Sequence, residues 1–269
     1  MLIINIDSDR SLTASEISFI ESVMVAGEKM ITRFPQSMYF LSQNIPVFLL
    51  KGDSMPEFEN KISDDSSSEK KKKEAKIRTP ATELLGIYCS KVKLGYGTER
   101  SAIYICPERI ENYSTGQEHF LILLTKVIIH EFAHALMHSE LKEGCDDVFY
   151  GWMEEPLANM IVLEYFESFQ SSEGAKLIKS DSFQKVKDFI STQPPNYSLG
   201  LDMFYSKNDF DWKVWRDKKQ AWCKSSFTRS WIEHAVKRNI KLLKSRYAST
   251  LLIENKKLDE LNRKTGLFD

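Results

Sequence analysis

Two histidines and a glutamate in the middle of the chain have the residue types and the spacing of a metal site. They lie in the sequence His130-Glu131-Phe132-Ala133-His134. On a helix, histidines four residues apart share one face, so both imidazoles can reach a single ion. Glu131 lies beside that face and can accept a proton from a water molecule bound to the ion. Random placement of the 5 His and 23 Glu of the chain would give this pattern about 0.008 times. We therefore predict a catalytic zinc site, against the alternative of a core helix whose histidines coincide by chance.

A catalytic zinc takes three protein ligands and keeps one position open, so the chain must supply a third ligand. His138 continues the same helical face, but it lies about 12 Å along the axis from His130, too far to share one ion. Cys145 is a chemically suitable ligand that nothing else in the sequence marks. Glu154 and Glu155 stand at the start of the next predicted helix. From the residues alone, these three side chains stay open as candidates.

The downstream segment 152–159, WMEEPLAN, together with the H-E-x-x-H sequence, resembles the gluzincin group of metallopeptidases. That group includes the thermolysin-like proteases and the zinc aminopeptidases. The aminopeptidases have a similar segment, in which a Trp precedes the glutamate ligand by three residues and a small and a polar residue follow. The resemblance implies one zinc ion held by His130, His134 and Glu155.

Two residues of this segment depart from the gluzincin pattern. Asn159 stands where thermolysin-like enzymes carry an acidic residue that supports a ligand histidine. An asparagine can accept the same hydrogen bond but supplies no charge. Pro156 restricts the backbone of Glu155, the residue before it. The resemblance covers residues 101–170 and is specific for the superfamily, not for a substrate.

The resemblance also implies a strand that binds substrate. In this group the strand before the metal helix is often an edge strand that pairs with an extended peptide. Residues 101–106 occupy that place, with Ile103, Tyr104 and Ile105 as the predicted substrate-pairing residues. A core strand with no substrate role is the alternative.

An oxyanion donor is the last implied site residue. Gluzincins tend to place a Tyr or His from the helical C-terminal part beside the metal, where it stabilises the oxyanion. Tyr197-Ser-Leu-Gly200 resembles the Tyr-x-x-Gly element of several of these families. Tyr205 is the second candidate, and an ordinary loop tyrosine after Pro194-Pro195 is the competing interpretation of Tyr197.

These residues predict a zinc-dependent metallopeptidase that acts on a peptide or protein substrate. The metal would polarise the scissile carbonyl, and Glu131 would be the general base. Two alternatives remain: a zinc-dependent amide hydrolase with a non-peptide substrate, and a zinc-stabilised binding module without turnover. The glutamate of the motif argues against the binding module, because a purely structural site would not require it.

The elements that position these residues follow from hydrophobic periodicity. A central helix is predicted from a capping sequence at Thr115 to a stop at Gly144. Pro156 fits the first turn of the next helix. Strands followed by helices predict an α+β fold, and the resemblance implies a zincin-like one, with a small mixed sheet packed on the metal helix. The other predicted elements are strands at 2–6, within 39–50, at 84–90 and at 101–106, and a helix at 13–33.

The predicted organisation has four parts. Residues 1–56 form an N-terminal α/β part, and residues 80–179 form the zincin-like core with the metal helix and the glutamate-ligand helix. Between them, residues 57–79 are Ser-rich and charged, which predicts a solvated low-complexity loop, with disorder as an open alternative. Residues 180–269 are predicted to form a helical C-terminal subdomain.

Composition excludes several classes of partner. The chain has 37 Lys plus Arg against 38 Asp plus Glu, and 42% of its residues are hydrophobic. These values indicate a folded globular protein and argue against binding to nucleic acid by bulk electrostatics. The lysine run at 70–73 adjoins an acidic block that nearly cancels it. Oligomeric state is left open by the sequence.

Compartment signals favour the cytoplasm. The first residues have no basic start, no long apolar stretch and no cleavage site of a secretory signal. The longest apolar run, residues 120–124, is far shorter than the ~18 residues of a membrane span. The four cysteines form no CxxC pair, which predicts buried free thiols. We therefore predict a soluble, cytoplasmic protein with no membrane partner.

Overall fold

Among the described residues, four strands and four helices lie within the chain as far as residue 140, and a further long helix follows. The computed structural model describes residues 1–31, 38–54, 84–94, 98–140, 151–170 and 185–186. A small mixed sheet with several helices gives the α+β character that the sequence predicts. The elements are β1 (Ile3–Asn5), α1 (Ala14–Ile31), α2 (Met38–Asn44), β2 (Val47–Leu49), β3 (Gly86–Leu94), β4 (Thr98–Ile105), α3 (Pro107–Asn112), α4 (Gln117–Glu140) and α5 (Gly151–Gln170).

The described residues fall into two compact units. The first contains Met1–Val25 and Met38–Ala135, and the second contains Ala26–Ser37 and Leu136–Asp269. The sheet and the H-E-x-x-H part of α4 therefore belong to the first unit, and α5 belongs to the second. The predicted loop at 57–79 and the predicted subdomain at 180–269, apart from residues 185–186, lie outside the described residues.

The four strands among the described residues form one sheet in the order β1-β2-β4-β3. β1, β2 and β4 are parallel, with Val47 opposite Ile103, whereas β3 runs antiparallel to β4, with Gly86 opposite Ile105. The pairing of β3 shifts register between Cys89 and Val92. Among the described strands, β2 and β4 are therefore interior, and β1 and β3 lie at the two edges.

Both faces of the sheet bury apolar side chains. Ile103 and Ile105 point to the same face of the sheet, because side chains alternate between faces along a strand. Both are fully buried, since this face packs against α4. On the other face Phe48 stacks on Tyr104, with ring centroids 5.4 Å apart. Cys89 and Cys106 are buried in the same apolar cluster as Tyr104. Both are free thiols, as the sequence predicts.

α4 is the central helix of the first unit and is buried on most of its sides. It begins at Gln117, after Gly116, and the Thr115 backbone N–H donates to His119 Nδ1 at 3.1 Å. By length and composition alone, residues 117–139 could cross a membrane, but 94% of that apolar window is buried inside the protein. A buried core helix meets the same criterion, so the apolar composition of α4 follows from its position in the core.

α1 begins with a capping box, and the helix predicted at 13–33 is confirmed over Ala14–Ile31. The Thr13 backbone N–H donates to Glu16 Oε2 at 2.7 Å, and the Glu16 N–H donates to Thr13 Oγ1 at 3.3 Å. This reciprocal pair satisfies two amide groups that the first turn of a helix leaves without intrahelical partners. Arg10 also forms a 2.7 Å ion pair with Glu16.

The prediction of strands within residues 39–50 is wrong for the part before Pro46. Residues 38–44 form α2, and only Val47–Leu49 form a strand. The aromatic residues there favoured a strand prediction. However, Met38, Leu41 and Ile45 are buried at helical spacing, and Pro46 disfavours helical geometry at the residue before it.

Glu108 on α3 binds the loop that follows β1. Its Oε1 atom accepts hydrogen bonds from Ser8 Oγ and the Asp9 backbone N–H, both at 2.6 Å, and from the Arg10 N–H at 3.2 Å. Burial alone would raise the pKa of Glu108, but these hydrogen bonds outweigh it and hold the pKa below 4.5. The charged carboxylate is therefore the form that stabilises the folded state.

Glu108→Gln is expected to reduce stability by about 1–3 kcal/mol at pH 7, since hydrogen bonds to a charged acceptor are lost. Because the folded pKa of Glu108 is lowered, its contribution is present above pH 4.5 and is lost as the pH falls through the folded pKa. Urea unfolding at pH 7 and at pH 3 measures this difference. Glu111→Gln on the same helix is the control, because Glu111 is exposed and its ion pair with Arg10 is 3.6 Å long. Equal losses for Glu108→Gln at both pH values would contradict the assignment.

In the second unit, Tyr165 on α5 packs against α1. Its ring is fully buried, and its hydroxyl donates to Glu28 Oε1 at 2.6 Å. Burial, and then the Glu28 carboxylate, raise the pKa of Tyr165 well above 10.0, so the phenol keeps its proton. A Cβ atom on Gly27 would overlap the ring, with Tyr165 Cγ only 2.8 Å away. Gly27 is therefore required by close approach of the two helices.

Gly27→Ala is expected to destabilise the protein by about 1–3 kcal/mol, since overpacking outweighs the usual gain of Ala over Gly in a helix. Tyr165→Phe keeps the ring, loses the hydrogen bond to Glu28, and should cost about 1–2 kcal/mol. Chemical denaturation of both variants measures these losses. Val25→Ala, at a position 38% exposed on α1, is the control and should change stability much less. A Gly27→Ala variant more stable than the wild type would contradict the close packing.

α5 begins earlier than predicted. It starts at Gly151, so Pro156 is its sixth residue and not part of the first turn of a helix. The helix tolerates this proline at the cost of the N–H that would otherwise bond four residues back. Glu155 and Asn159 both lie on α5, four residues apart.

Candidate metal centre

The two histidines of the motif face each other on α4. His134 Nε2 and His130 Nε2 lie 3.1 Å apart, and the ring centroids are 4.8 Å apart at an interplanar angle of 73°. Both residues are buried, at 6% and 7% exposure. The two histidines are one helical turn apart, so their side chains lie on the same face of α4 and their Nε2 atoms come close together, as the sequence predicts.

This spacing fits the donor geometry of one zinc ion. Two nitrogens bound tetrahedrally at about 2.05 Å from zinc lie about 3.3 Å from each other. The observed separation of the His130 and His134 Nε2 atoms, 3.1 Å, is close to that value. Neutral imidazole is also a donor that zinc prefers. The same distance suits an N–H···N hydrogen bond between the rings, which is the competing interpretation of the pair.

Glu131 directly follows His130 on α4 and is buried, at 6% exposure. Its Oε1 atom lies 3.1 Å from the point where a Cβ on Gly86 would stand. Gly86 is the first residue of β3, so the carboxylate lies against the start of that strand. The arrangement brings a carboxylate and two imidazoles to adjacent positions on a buried helix.

The remaining predicted ligand and support residues are only partly described. Asn159 is buried at 2% exposure, and Glu155 lies one turn before it on α5. The Glu155 side chain lies outside the described part of the structure, as do Cys145, Tyr197 and Tyr205. Among the side chains that are described, no three from His, Cys, Asp and Glu converge as a metal site. The third ligand therefore stays a prediction.

The predicted substrate strand is corrected by the sheet order. Ile103 lies opposite Val47 on one side and opposite Tyr88 on the other, and Ile105 likewise has neighbours on β2 and β3. The backbone of Ile103, Tyr104 and Ile105 thus belongs to an interior strand and has no open edge for a peptide. Among the described strands, β3 has the edge position that was expected of β4.

Gly86 is the residue near this site that sequence reasoning missed. The segment 84–90 is correctly predicted as a strand, but hydrophobic pattern alone assigns no role to Gly86. A glycine inside a strand pattern often marks a close approach of another element. That signal was present in the sequence, although the identity of the approaching group was not.

Comparison of the chain with protein-family models, with curated proteins and with solved structures finds no match. Support for a function therefore comes from the motif and from the geometry of its side chains. The likeness to gluzincins remains a resemblance of two short segments, at 130–134 and 152–159.

Proposed function

We propose that this protein is a zinc-dependent metallopeptidase with a gluzincin-like site. The observation that supports the proposal most strongly is the 3.1 Å separation of the His130 and His134 Nε2 atoms beside buried Glu131. Burying a carboxylate and two imidazoles costs free energy that hydrogen bonds, ion pairs or a bound metal must offset. Zinc-assisted hydrolysis uses these same groups as ligands and general base. We further propose that the sheet and α4 correspond to the sheet and metal helix of a zincin-like fold.

In this proposal His130, His134 and Glu155 hold one zinc ion. When bound, zinc would supply Lewis acidity toward a scissile carbonyl and toward a water molecule. The two imidazoles would bind through their Nε2 atoms, which fixes the neutral tautomer with its proton on Nδ1. Asn159 would support a ligand histidine by a hydrogen bond, without the charge that an acidic residue supplies there.

Glu131 would be the general base and then the general acid. Its carboxylate would accept a proton from the attacking water and pass it to the nitrogen of the leaving amine. Its burial beside β3 keeps bulk water from competing for the carboxylate oxygens. Tyr197 would donate a hydrogen bond to the oxyanion that forms on the substrate. No covalent intermediate with the protein is required.

The substrate in this proposal is an extended peptide. An extended chain can bind by adding to the open edge of a sheet, where backbone hydrogen bonds give affinity with little dependence on side chains. β3 lies at an edge among the described strands, and Glu131 Oε1 lies 3.1 Å from the position that a Cβ on its first residue, Gly86, would occupy. We therefore assign the substrate-pairing role to β3 instead of β4.

Cleavage of a mixed peptide library by the full-length, zinc-loaded chain tests the proposal. We expect cleavage that stops on addition of a chelator and returns on addition of zinc. Stoichiometric zinc without cleavage of any peptide would contradict the peptidase assignment. Release of amines from small non-peptide amides would then favour the amide hydrolase, and inactivity toward both substrate classes would favour the binding module.

A further inference from the structure

Gly86 occupies a point where the sheet and α4 come unusually close. A Cβ atom built on Gly86 would lie 2.8 Å from Ile105 Cδ1, 2.8 Å from Val127 Cγ1 and 3.1 Å from Glu131 Oε1. Carbon atoms in contact normally lie about 3.5–4.0 Å apart. Even an alanine at this position therefore requires these neighbours to move.

The neighbours have little freedom to move. Ile105 is fully buried and lies opposite Gly86 in the antiparallel pairing of β3 with β4. Val127 and Glu131 are one turn apart on α4, so they present the same face of a buried helix to the strand. Close-packed interiors transmit such overlap as displacement of side chains. The Glu131 carboxylate is the polar group among the three contacts.

We propose that Gly86 is a positioning residue for Glu131. Because Gly86 has no side chain, the Glu131 carboxylate can lie against the start of β3, and any larger residue would push it away. The catalytic meaning of this contact rests on the proposed function, whereas the contact itself does not. A glycine that serves only the packing of Val127 and Ile105 is the opposing interpretation, and the two make different predictions.

The first test uses the metal-free protein and measures coupling between positions 86 and 131. Gly86→Ala is introduced into three full-length backgrounds: wild type, Glu131→Gln and Glu131→Ala. The Gln side chain keeps the shape of Glu, whereas Ala removes the contacting atom. We expect the fall in unfolding midpoint caused by Gly86→Ala to be at least about 2 °C smaller in the Glu131→Ala background than in the other two. Equal falls in all three backgrounds would overturn the proposal.

A second set of variants keeps the test decisive if Gly86→Ala alone does not fold. Val127→Ala with Ile105→Val removes the atoms of the two closest apolar contacts and leaves Glu131 in place. Adding Gly86→Ala to this background isolates the contact with the carboxylate. The same dependence on the residue at position 131 is expected there, and its absence again overturns the proposal.

The third test measures catalysis in the zinc-loaded protein. Adding Gly86→Ala to the Val127→Ala, Ile105→Val background should lower kcat at least about tenfold, with the zinc content unchanged and KM within about twofold. An unchanged kcat would overturn the positioning role. If the wild type itself shows no chelator-sensitive cleavage, the proposed function fails, and the metal-free coupling still decides whether Gly86 positions Glu131.

Discussion

Glu131→Gln is expected to leave zinc binding unchanged and to lower the rate of peptide cleavage by about 10³-fold. Gln has nearly the shape of Glu, so the histidine pair beside it should keep its geometry. It cannot accept a proton from water, and proton transfer by a positioned general base contributes about 10²–10⁴-fold. Steady-state cleavage rates together with zinc content per chain measure both parts of the expectation.

The matched control is Glu118→Gln, the same substitution at an exposed position of α4. This variant should cleave at the wild-type rate, because Glu118 lies three turns before the motif. A Glu131→Gln protein that cleaves peptides as fast as the wild type would contradict the general-base assignment. Loss of zinc from Glu131→Gln would instead give Glu131 a role in holding the metal, which is also contrary to the assignment.

Loss of either histidine should lower the affinity for zinc by at least about 100-fold and abolish cleavage. Substitutions of residues that only support a metal ligand already cost about 10–100-fold, so removal of a ligand itself should cost more. His130→Ala and His134→Ala should have similar effects, because their Nε2 atoms are equivalent members of the pair. Competition with a chromogenic chelator measures the affinity.

His119→Ala controls for loss of a histidine from the same helix. His119 accepts a hydrogen bond from Thr115 at the helix start and lies more than two turns before His130, so its loss should leave zinc affinity unchanged. If the rings of His130 and His134 form only a structural hydrogen bond, their loss will lower stability without changing zinc binding. That outcome would contradict the metal site.

Local patterns predicted the helices that carry the motif. The apolar run around His130 is buried as a helix, and the spacing of His130 and His134 brings their Nε2 atoms to 3.1 Å. The helix predicted at 13–33 likewise follows from hydrophobic periodicity, and the structure describes it over Ala14–Ile31. Each of these features depends on residues within one or two helical turns, so the sequence contains the information directly.

Features that depend on long-range pairing could not be obtained in this way. The interior position of β4 arises because β2 pairs with one side of it and β3 with the other, and strand order is not encoded within a strand. In the same way, α2 was mistaken for a strand because its aromatic residues favour strands in isolation. The burial of Met38 and Leu41 in the core stabilises the helix instead.

The candidate site also combines local features, which the sequence predicts, with a long-range feature, which it does not. The pair of histidines and Glu131 follow from one motif, whereas the closeness of Gly86 to Glu131 is a contact between residues 45 positions apart. Glu155 as third ligand and Tyr197 as oxyanion donor remain predictions from the resemblance, and their side chains lie outside the described residues.

X-ray absorption at the zinc edge of the full-length, zinc-loaded protein tests the central claim most directly. We predict one zinc ion per chain, with two imidazole nitrogens at about 2.0–2.1 Å and oxygen atoms as the remaining neighbours. One of the two nitrogens should disappear in the spectrum of His134→Ala. A sulfur neighbour at about 2.3 Å, or the absence of imidazole scattering, would contradict a site built from His130, His134 and Glu155.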